Sequence, residues 1–271
     1  MDKVLVLYHS GVGCTKMVSE LISKKLSNKL ELSTISIEDI TDVSLLNNYK
    51  ILCMGFPTYH ASPSKTMLKF IESLPYFKKT KFVFAYTTCA LYSANALRIF
   101  AKQCRKKNLI VVYSQSYRSP ATDGVLLVPN IKVFFKFEKG LINKINTDIE
   151  NFISITMSHK FSYKFPEFKL YSILNSPNKL LGEFYKPKIH YFKNLCSHCN
   201  VCVSRCPCNS LSFDENEILK HSKIDCEHCF RCIHHCHKKA LSLNKRRSPK
   251  KQLNSKFWNK KKRRDFFEEY R

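Results

Sequence analysis

At 271 residues, with 44% hydrophobic and 13% aromatic side chains, the chain is long enough for one medium and one small domain and apolar enough to bury a core, which excludes a disordered polymer. Its 46 Lys and Arg against 21 Asp and Glu give a net charge of +25. That charge admits acidic proteins, nucleic acid or an anionic membrane surface as partners, although a Lys- and Asn-rich, Gly-poor bias would also follow from an AT-rich genome.

No run approaches the roughly 18 uncharged apolar residues of a membrane span, and the first residues hold too short an apolar run for a signal peptide. A soluble, cytoplasmic chain without a transmembrane segment is expected. Of the thirteen cysteines, eight fall in two compact runs, which favours a reducing compartment over disulfides.

In chain order, residues 4–8, 50–54, 81–86 and 109–113 are short runs rich in Val, Ile, Leu, Phe and Tyr, of the kind buried on both faces of a parallel sheet. Residues 32–37 alternate more and suit an edge strand. Residues 15–26 place Val18, Leu21, Ile22 and Leu26 on one helical face, and 64–74 and 93–104 have comparable spacing. This alternation implies an open α/β sheet over residues 1–158. Residues 159–189, with Pro166, Pro177 and Pro187, read as a connector. Residues 190–244 carry a direct repeat at an offset of 30, Cys196, Cys199, Cys202, Cys206 and Leu211 recurring as Cys226, Cys229, Cys232, Cys236 and Leu241. Residues 245–271 form a basic tail expected to extend away from the packed domains.

Cys196-x2-Cys199-x2-Cys202-x3-Cys206-Pro207 is the bacterial ferredoxin run, in which three close thiolates hold one [4Fe–4S] cluster and the fourth reaches the other. By position, one cluster takes Cys196, Cys199, Cys202 and Cys236, and the second takes Cys226, Cys229, Cys232 and Cys206. Structural zinc, the alternative, comes as two separated C-x2-C pairs around one ion, and three cysteines at i, i+3 and i+6 fit that poorly. His237 stands where the second run would carry proline, with an effect expected on loop rigidity. Cys208 is a candidate spare thiolate, Cys14, Cys53, Cys89 and Cys104 read as buried small hydrophobes, and His198, His228, His234 and His235 read as exposed loop residues.

Between the first strand and helix stands His9-Ser10-Gly11-Val12-Gly13-Cys14-Thr15, small and hydroxylated, where backbone amides at a helix N-terminus can cradle a phosphate. Two later loops follow strands, Gly55-Phe56-Pro57-Thr58-Tyr59-His60-Ala61-Ser62-Pro63 and Thr87-Thr88-Cys89-Ala90-Leu91-Tyr92. With the cysteine runs, these motifs resemble the EFR-type flavodoxin–ferredoxin fusion family over about residues 3–243. The resemblance implies a flavodoxin-like parallel sheet of order 2-1-3-4-5 followed by a small α+β ferredoxin-like domain with two clusters. It also implies FMN, held by Ser10, Gly11, Val12, Gly13, Cys14 and Thr15 at the phosphate, by Pro57, Thr58 and Tyr59 against the ring, and by Thr88, Cys89 and Ala90 at its edge. Val12 replaces a usual Thr and Cys14 a usual Asn, removing two polar phosphate contacts, while Leu91 and Tyr92 put bulk where the family is glycine-rich.

The function expected is electron transfer between two [4Fe–4S] clusters and FMN, serving a redox partner protein of acidic character docked by the tail. No nucleophile–base pair stands out, so no substrate is implied. The alternative is an iron–sulfur protein with a flavin-free scaffold that binds nucleic acid through the tail, where Phe257, Trp258, Phe266 and Phe267 interleave with the charges.

Overall fold

The computed structural model describes residues 3–158, 161, 165–170 and 187–261. Strands β1 (Val4–Tyr8), β2 (Leu32–Ser36), β3 (Ile51–Tyr59), β5 (Lys81–Cys89) and β6 (Leu109–Arg118) form one parallel sheet of order β2-β1-β3-β5-β6, and the two-residue β4 (Ser62–Pro63) folds back antiparallel on β3. Leaving β4 aside, this is the expected order 2-1-3-4-5, with β2 at the edge. Alternation along β1 sorts the core. Val4 and Val6 pack with α1 (Cys14–Leu26) and α5 (Leu141–Met157) on one face, whereas Leu5 and Leu7 pack with α2 (Lys65–Ser73) and α3 (Ala96–Arg105) on the other.

The central strands run further than their apolar cores indicated. β3 continues through Gly55-Phe56-Pro57, paired with Tyr86, Thr87 and Thr88 of β5. Thr58 and Thr87 exchange a hydroxyl hydrogen bond of 2.8 Å and Thr87 Oγ1 donates to the Phe56 carbonyl, so polar side chains satisfy one another where the hydrophobic signal ends. These extensions carry the two loops to one end of the sheet.

Helix α5 has no counterpart among the helices expected from sequence. It seats Leu141, Ile145, Ile149 and Phe152 in the core and carries the buried Asp148, whose carboxylate accepts hydrogen bonds from Tyr113 Oη (2.7 Å), Tyr117 Oη (2.9 Å) and Gln115 Nε2 (3.0 Å) on β6. Asp148→Ala strands the buried Tyr117 hydroxyl and removes the acceptor of the half-buried Tyr113 and Gln115, and we expect it to lower unfolding free energy by about 1–3 kcal/mol in chemical denaturation.

Of the 159–189 connector, Phe161 packs with the face of α1 and α5, Phe165 with that of α2 and α3, and Ile189 with Phe230 and Ile233. Phe161 stacks on Phe82 at 3.8 Å, and Arg98 lies over Phe165 while donating to the Pro166 carbonyl. Pro177 lies outside the described residues. Residues 190–243 repeat one pattern twice, strand, short helix, strand. β7 (His190–Tyr191), α6 (Val201–Ser204) and β8 (Leu211–Phe213) are followed by β9 (Leu219–His221), α7 (Arg231–His235) and β10 (Leu241–Ser242), and β7 pairs with β10 as β8 pairs with β9.

The tail does not extend away. Leu253 is fully buried, and helix α8 (Ser255–Lys261) returns to the first domain with Phe257 and Trp258 packed beside Val12, Cys14 and Val125. Burial of these apolar groups outweighs the repulsion among the tail's lysines, and it leaves Phe257 and Trp258 half-buried against the first domain rather than carried on a free tail. Phe266 and Phe267 lie outside the described residues. Among the described residues no helix is long and apolar enough to cross a membrane.

Candidate functional site

The C-terminal ends of the central strands surround a cavity of about 550 Å3, a size within the range of cofactor sites. Every residue expected at the flavin lines it except Gly13. Ser10 Oγ accepts the amides of Gly13 (3.1 Å) and Lys16 (3.2 Å), so this hydroxyl shapes the loop itself. The first-turn amides of α1 lack intrahelical acceptors and, with the helix dipole, favour an anion there. Thr15 Oγ1 meets Thr88 Oγ1 at 2.8 Å, tying the first loop to the third. Gly11 is where two aromatic and thiol groups converge: a Cβ there would clash with Tyr59 Oη and lie 3.0 Å from Cys229 Cβ.

The bulk expected to obstruct the third loop stands at the cavity rim, with Leu91 61% and Tyr92 37% exposed. Val12 and Cys14 are 2% and 5% exposed, turned into the apolar cluster under the tail, and burial pushes the Cys14 thiol up to about 12. The sequence reading missed two walls. One is the segment after β6 with Ser119 and, at the start of α4 (Thr122–Leu127), Thr122 and Asp123; the other is His228 and Phe230, which flank Cys229. Neither had a local signal, since the second is more than 200 residues from the first loop.

Cys196, Cys199, Cys202 and Cys236 line one small cavity, walled by Tyr191, Phe213, Leu219 and Leu241. Cys206 lies near Cys226, and Cys232 lies near Cys226, Cys206 and Cys229 as well as near Cys202 of the first cavity. Four thiols accept backbone amides in pairs 30 residues apart: His198 to Cys196 (3.4 Å) and His228 to Cys226 (3.3 Å), Ser210 to Cys206 (3.3 Å) and Ala240 to Cys236 (3.2 Å). The left-handed residues recur likewise, His198 with His228, Asn200 with Phe230 and Asn209 with Lys239. Such turns wrap amides around a group of sulfurs, the backbone concavity seen at anionic clusters. Among the described residues no three His, Cys, Asp or Glu side chains are arranged to hold a single metal ion.

His237 leaves its loop unaltered, since Lys239 donates to the Cys236 carbonyl (3.0 Å) as Asn209 does to that of Cys206 (3.2 Å). Cys208 faces Thr66 Oγ1 at 3.8 Å. Two histidines expected in exposed loops are buried, His228 5% and His234 0% exposed. Nδ1 of His234 accepts the Leu253 amide (2.9 Å), which leaves Nε2 to donate to the Thr122 carbonyl (2.9 Å), and burial holds this ring neutral, with its pKa pushed down to about 4.

Behind the first loop the two halves are joined by charge. His9, fully buried, meets Glu38 through Nδ1 (2.9 Å) and Glu227 through Nε2 (3.0 Å). Glu227 also accepts the Thr66 amide (3.1 Å), and Arg231 spans Glu38 and the carbonyls of Ser10, Gly11 and Arg205. The cysteine-bearing half is thereby fixed on the loop that heads α1.

Residues 5–115 match the model of the flavodoxin domain. The N-terminal part of the chain is flavodoxin-like. Solved structures similar to it include a flavodoxin from the domain Archaea (20% identity, TM-score 0.37, covering 55% of this chain and 99% of that one) and oxidised flavodoxin 1 from Bacillus cereus (16%, TM-score 0.44, 56% and 98%). A third is the Fusobacterium nucleatum flavodoxin bound to flavin mononucleotide (15%, TM-score 0.39, 60% and 100%). The flavodoxin-like character rests on the domain match and the sheet order rather than on these overlaps. No curated protein matches the chain.

Proposed function

We propose that this chain transfers electrons between two [4Fe–4S] clusters in a ferredoxin-like C-terminal half and an FMN in the flavodoxin-like half. One observation carries the reading: the cavity at the strand ends is bounded both by the three flavodoxin-type loops and by His228 and Phe230, the neighbours of Cys229. The thiolates of Cys196, Cys199, Cys202 and Cys236 would hold one cluster, and those of Cys226, Cys229, Cys232 and Cys206 the other, adjoining the flavin site. The paired amide-to-sulfur bonds suit an anionic cluster, and soft thiolates suit iron.

At the flavin, the amides of residues 10–15 would take the phosphate, Tyr59 one ring face, and Thr88, Cys89 and Ala90 the edge. When bound, the flavin supplies two-electron chemistry and the clusters one-electron steps. What the side chains do is bind, orient and exclude water. Tyr59 and Phe230 close the cavity, and Gly11 lets Tyr59 and Cys229 approach the same backbone. Exposed Lys245, Arg246 and Arg247 leave a basic surface for an acidic redox partner.

Anaerobically purified protein should contain about eight irons and eight sulfides per chain, with flavin equimolar to the chain and broad charge-transfer absorption. Zinc in place of iron would defeat the cluster reading, and a cluster-loaded chain that takes no FMN would reduce the first domain to a scaffold.

A further inference from the structure

The tail helix lies against the back of the phosphate loop, and we infer that Trp258 is a positioning residue for phosphate recognition, the C-terminal strap fixing the 12–13 peptide so that its N–H keeps the Ser10 hydroxyl in place and the loop in the shape that presents its other amides to an anion. The inference rests on the FMN reading above and adds a residue lying outside the flavodoxin-like part.

Indole Nε1–H of Trp258 donates to the Val12 carbonyl at 2.6 Å. The ring covers Gly13, where a Cβ would come within 2.6 Å of Nε1 and 2.7 Å of Cε2. Gly13 has φ 108°, in the left-handed region, and serves as N-cap of α1 without a side-chain cap bond. Because a trans peptide is planar, its C=O and N–H point opposite ways. Anchoring the Val12 carbonyl on the strap side therefore sends the Gly13 N–H to the other side, where it meets Ser10 Oγ at 3.1 Å. Without the anchor, glycine's freedom makes a flip of the 12–13 peptide easy. The flip would break the bond from Gly13 N–H to Ser10 Oγ and set a partly negative carbonyl against that hydroxyl, so the loop would lose the shape that presents its other amides to a phosphate.

The strap is itself held by the cysteine-bearing half. Gln252 Nε2 donates to the carbonyls of Ile233 (2.7 Å) and Cys236 (2.9 Å), and the Leu253 amide donates to His234 Nδ1. Asn254 Oδ1 accepts the Phe257 amide at the start of α8, and Phe257 meets the Trp258 ring edge-on at 4.9 Å. Val12 and Cys14 complete the seat, as their burial beside Leu253 and Trp258 shows. These two side chains serve the strap, leaving phosphate to the backbone.

The test uses the full chain with its clusters loaded, comparing wild type with Trp258→Ala and Trp258→Phe by titrating FMN and, separately, riboflavin, which lacks the phosphate. Trp258→Ala should weaken FMN by about tenfold or more and leave riboflavin affinity unchanged. Trp258→Phe, which keeps a ring over Gly13 but no N–H, should fall between. Visible absorption of the clusters shows that each variant is folded. Equal loss of FMN and riboflavin, or FMN affinity of Trp258→Ala matching wild type, overturns the inference while leaving the proposed function standing. A wild-type chain that binds neither flavin defeats both.

Discussion

Replacing Cys206 with alanine is expected to strip the cluster assigned to Cys226, Cys229 and Cys232 while sparing the one assigned to its own sequence neighbours. Iron should fall from about eight to about four per chain. Cys206 sits four residues after Cys202, yet its thiol is near those of Cys226 and Cys232, the second of which is also near Cys202, and it accepts the Ser210 amide. Cys236→Ala should do the reverse, because Cys236 lines the cavity of Cys196, Cys199 and Cys202. The two variants differ in environment as well. Cys226 and Cys229 are 8% and 7% exposed whereas Cys199 is exposed, so the surviving cluster in Cys206→Ala should be the one more open to solvent and more readily lost to a chelator. Replacing Cys208 too removes the neighbouring thiol as a substitute ligand. Iron analysis with electron paramagnetic resonance of the reduced protein reads both outcomes. Equal loss at the two sites in either variant would sink the cross-ligation.

What the sequence disclosed was whatever repeats or alternates locally. The open α/β sheet followed from strand and helix periods, its strand order from the resemblance to flavodoxin–ferredoxin fusions, and the repeat of the two cysteine runs from an offset of 30 residues. β3 and β5 were read short because Gly55, Pro57, Thr87 and Thr88 interrupt the apolar runs, although cross-strand pairing carries both strands on. Helix α5 did offer a helical period in Leu141, Ile145, Ile149 and Phe152, which went unread. The contacts that unite the halves had no such trace. His9 and Glu227 are 218 residues apart, and Val12 and Trp258 are 246 apart. In one dimension His9 is a polar residue after a strand, and Trp258 an aromatic in a basic tail. Val12 and Cys14 looked like lost phosphate contacts until the strap that covers them supplied their reason.

The second large effect is expected at Arg231. Its guanidinium donates to the Gly11 carbonyl through Nε (2.8 Å), to Ser10 O (2.8 Å) and Arg205 O (2.9 Å), and to both oxygens of Glu38, with the side chain 9% exposed. His9 meets a carboxylate at each ring nitrogen, which requires a proton on both, so the buried group is two cations facing two anions. Arg231→Met removes one cation, leaves Glu38 with only His9 beside it and deprives the Ser10, Gly11 and Arg205 carbonyls of the guanidinium; breaking such a group should cost about 3–5 kcal/mol, read by denaturant unfolding of the loaded chain.

The same network has a pH signature. Burial alone would lower the His9 pKa, but hydrogen bonds and charge from Glu227 and Glu38 more than offset it and hold the imidazolium above its ordinary value. A raised pKa gives stability fully present below about 6.5 and lost as pH rises through the folded-state value. For Glu38, burial works upward, and Arg231 and His9 overcome it, holding the carboxyl at about 2. Its contribution is present above about 4.3 and lost as pH falls toward about 2. The network therefore stabilises most between roughly pH 4.3 and 6.5. Unfolding free energy of the wild type should decline on the alkaline side of that window, and His9→Gln, neutral at every pH, should be less stable at pH 6 but flat above it. An alkaline decline of the same size in His9→Gln would mean that His9 is not the charge being lost.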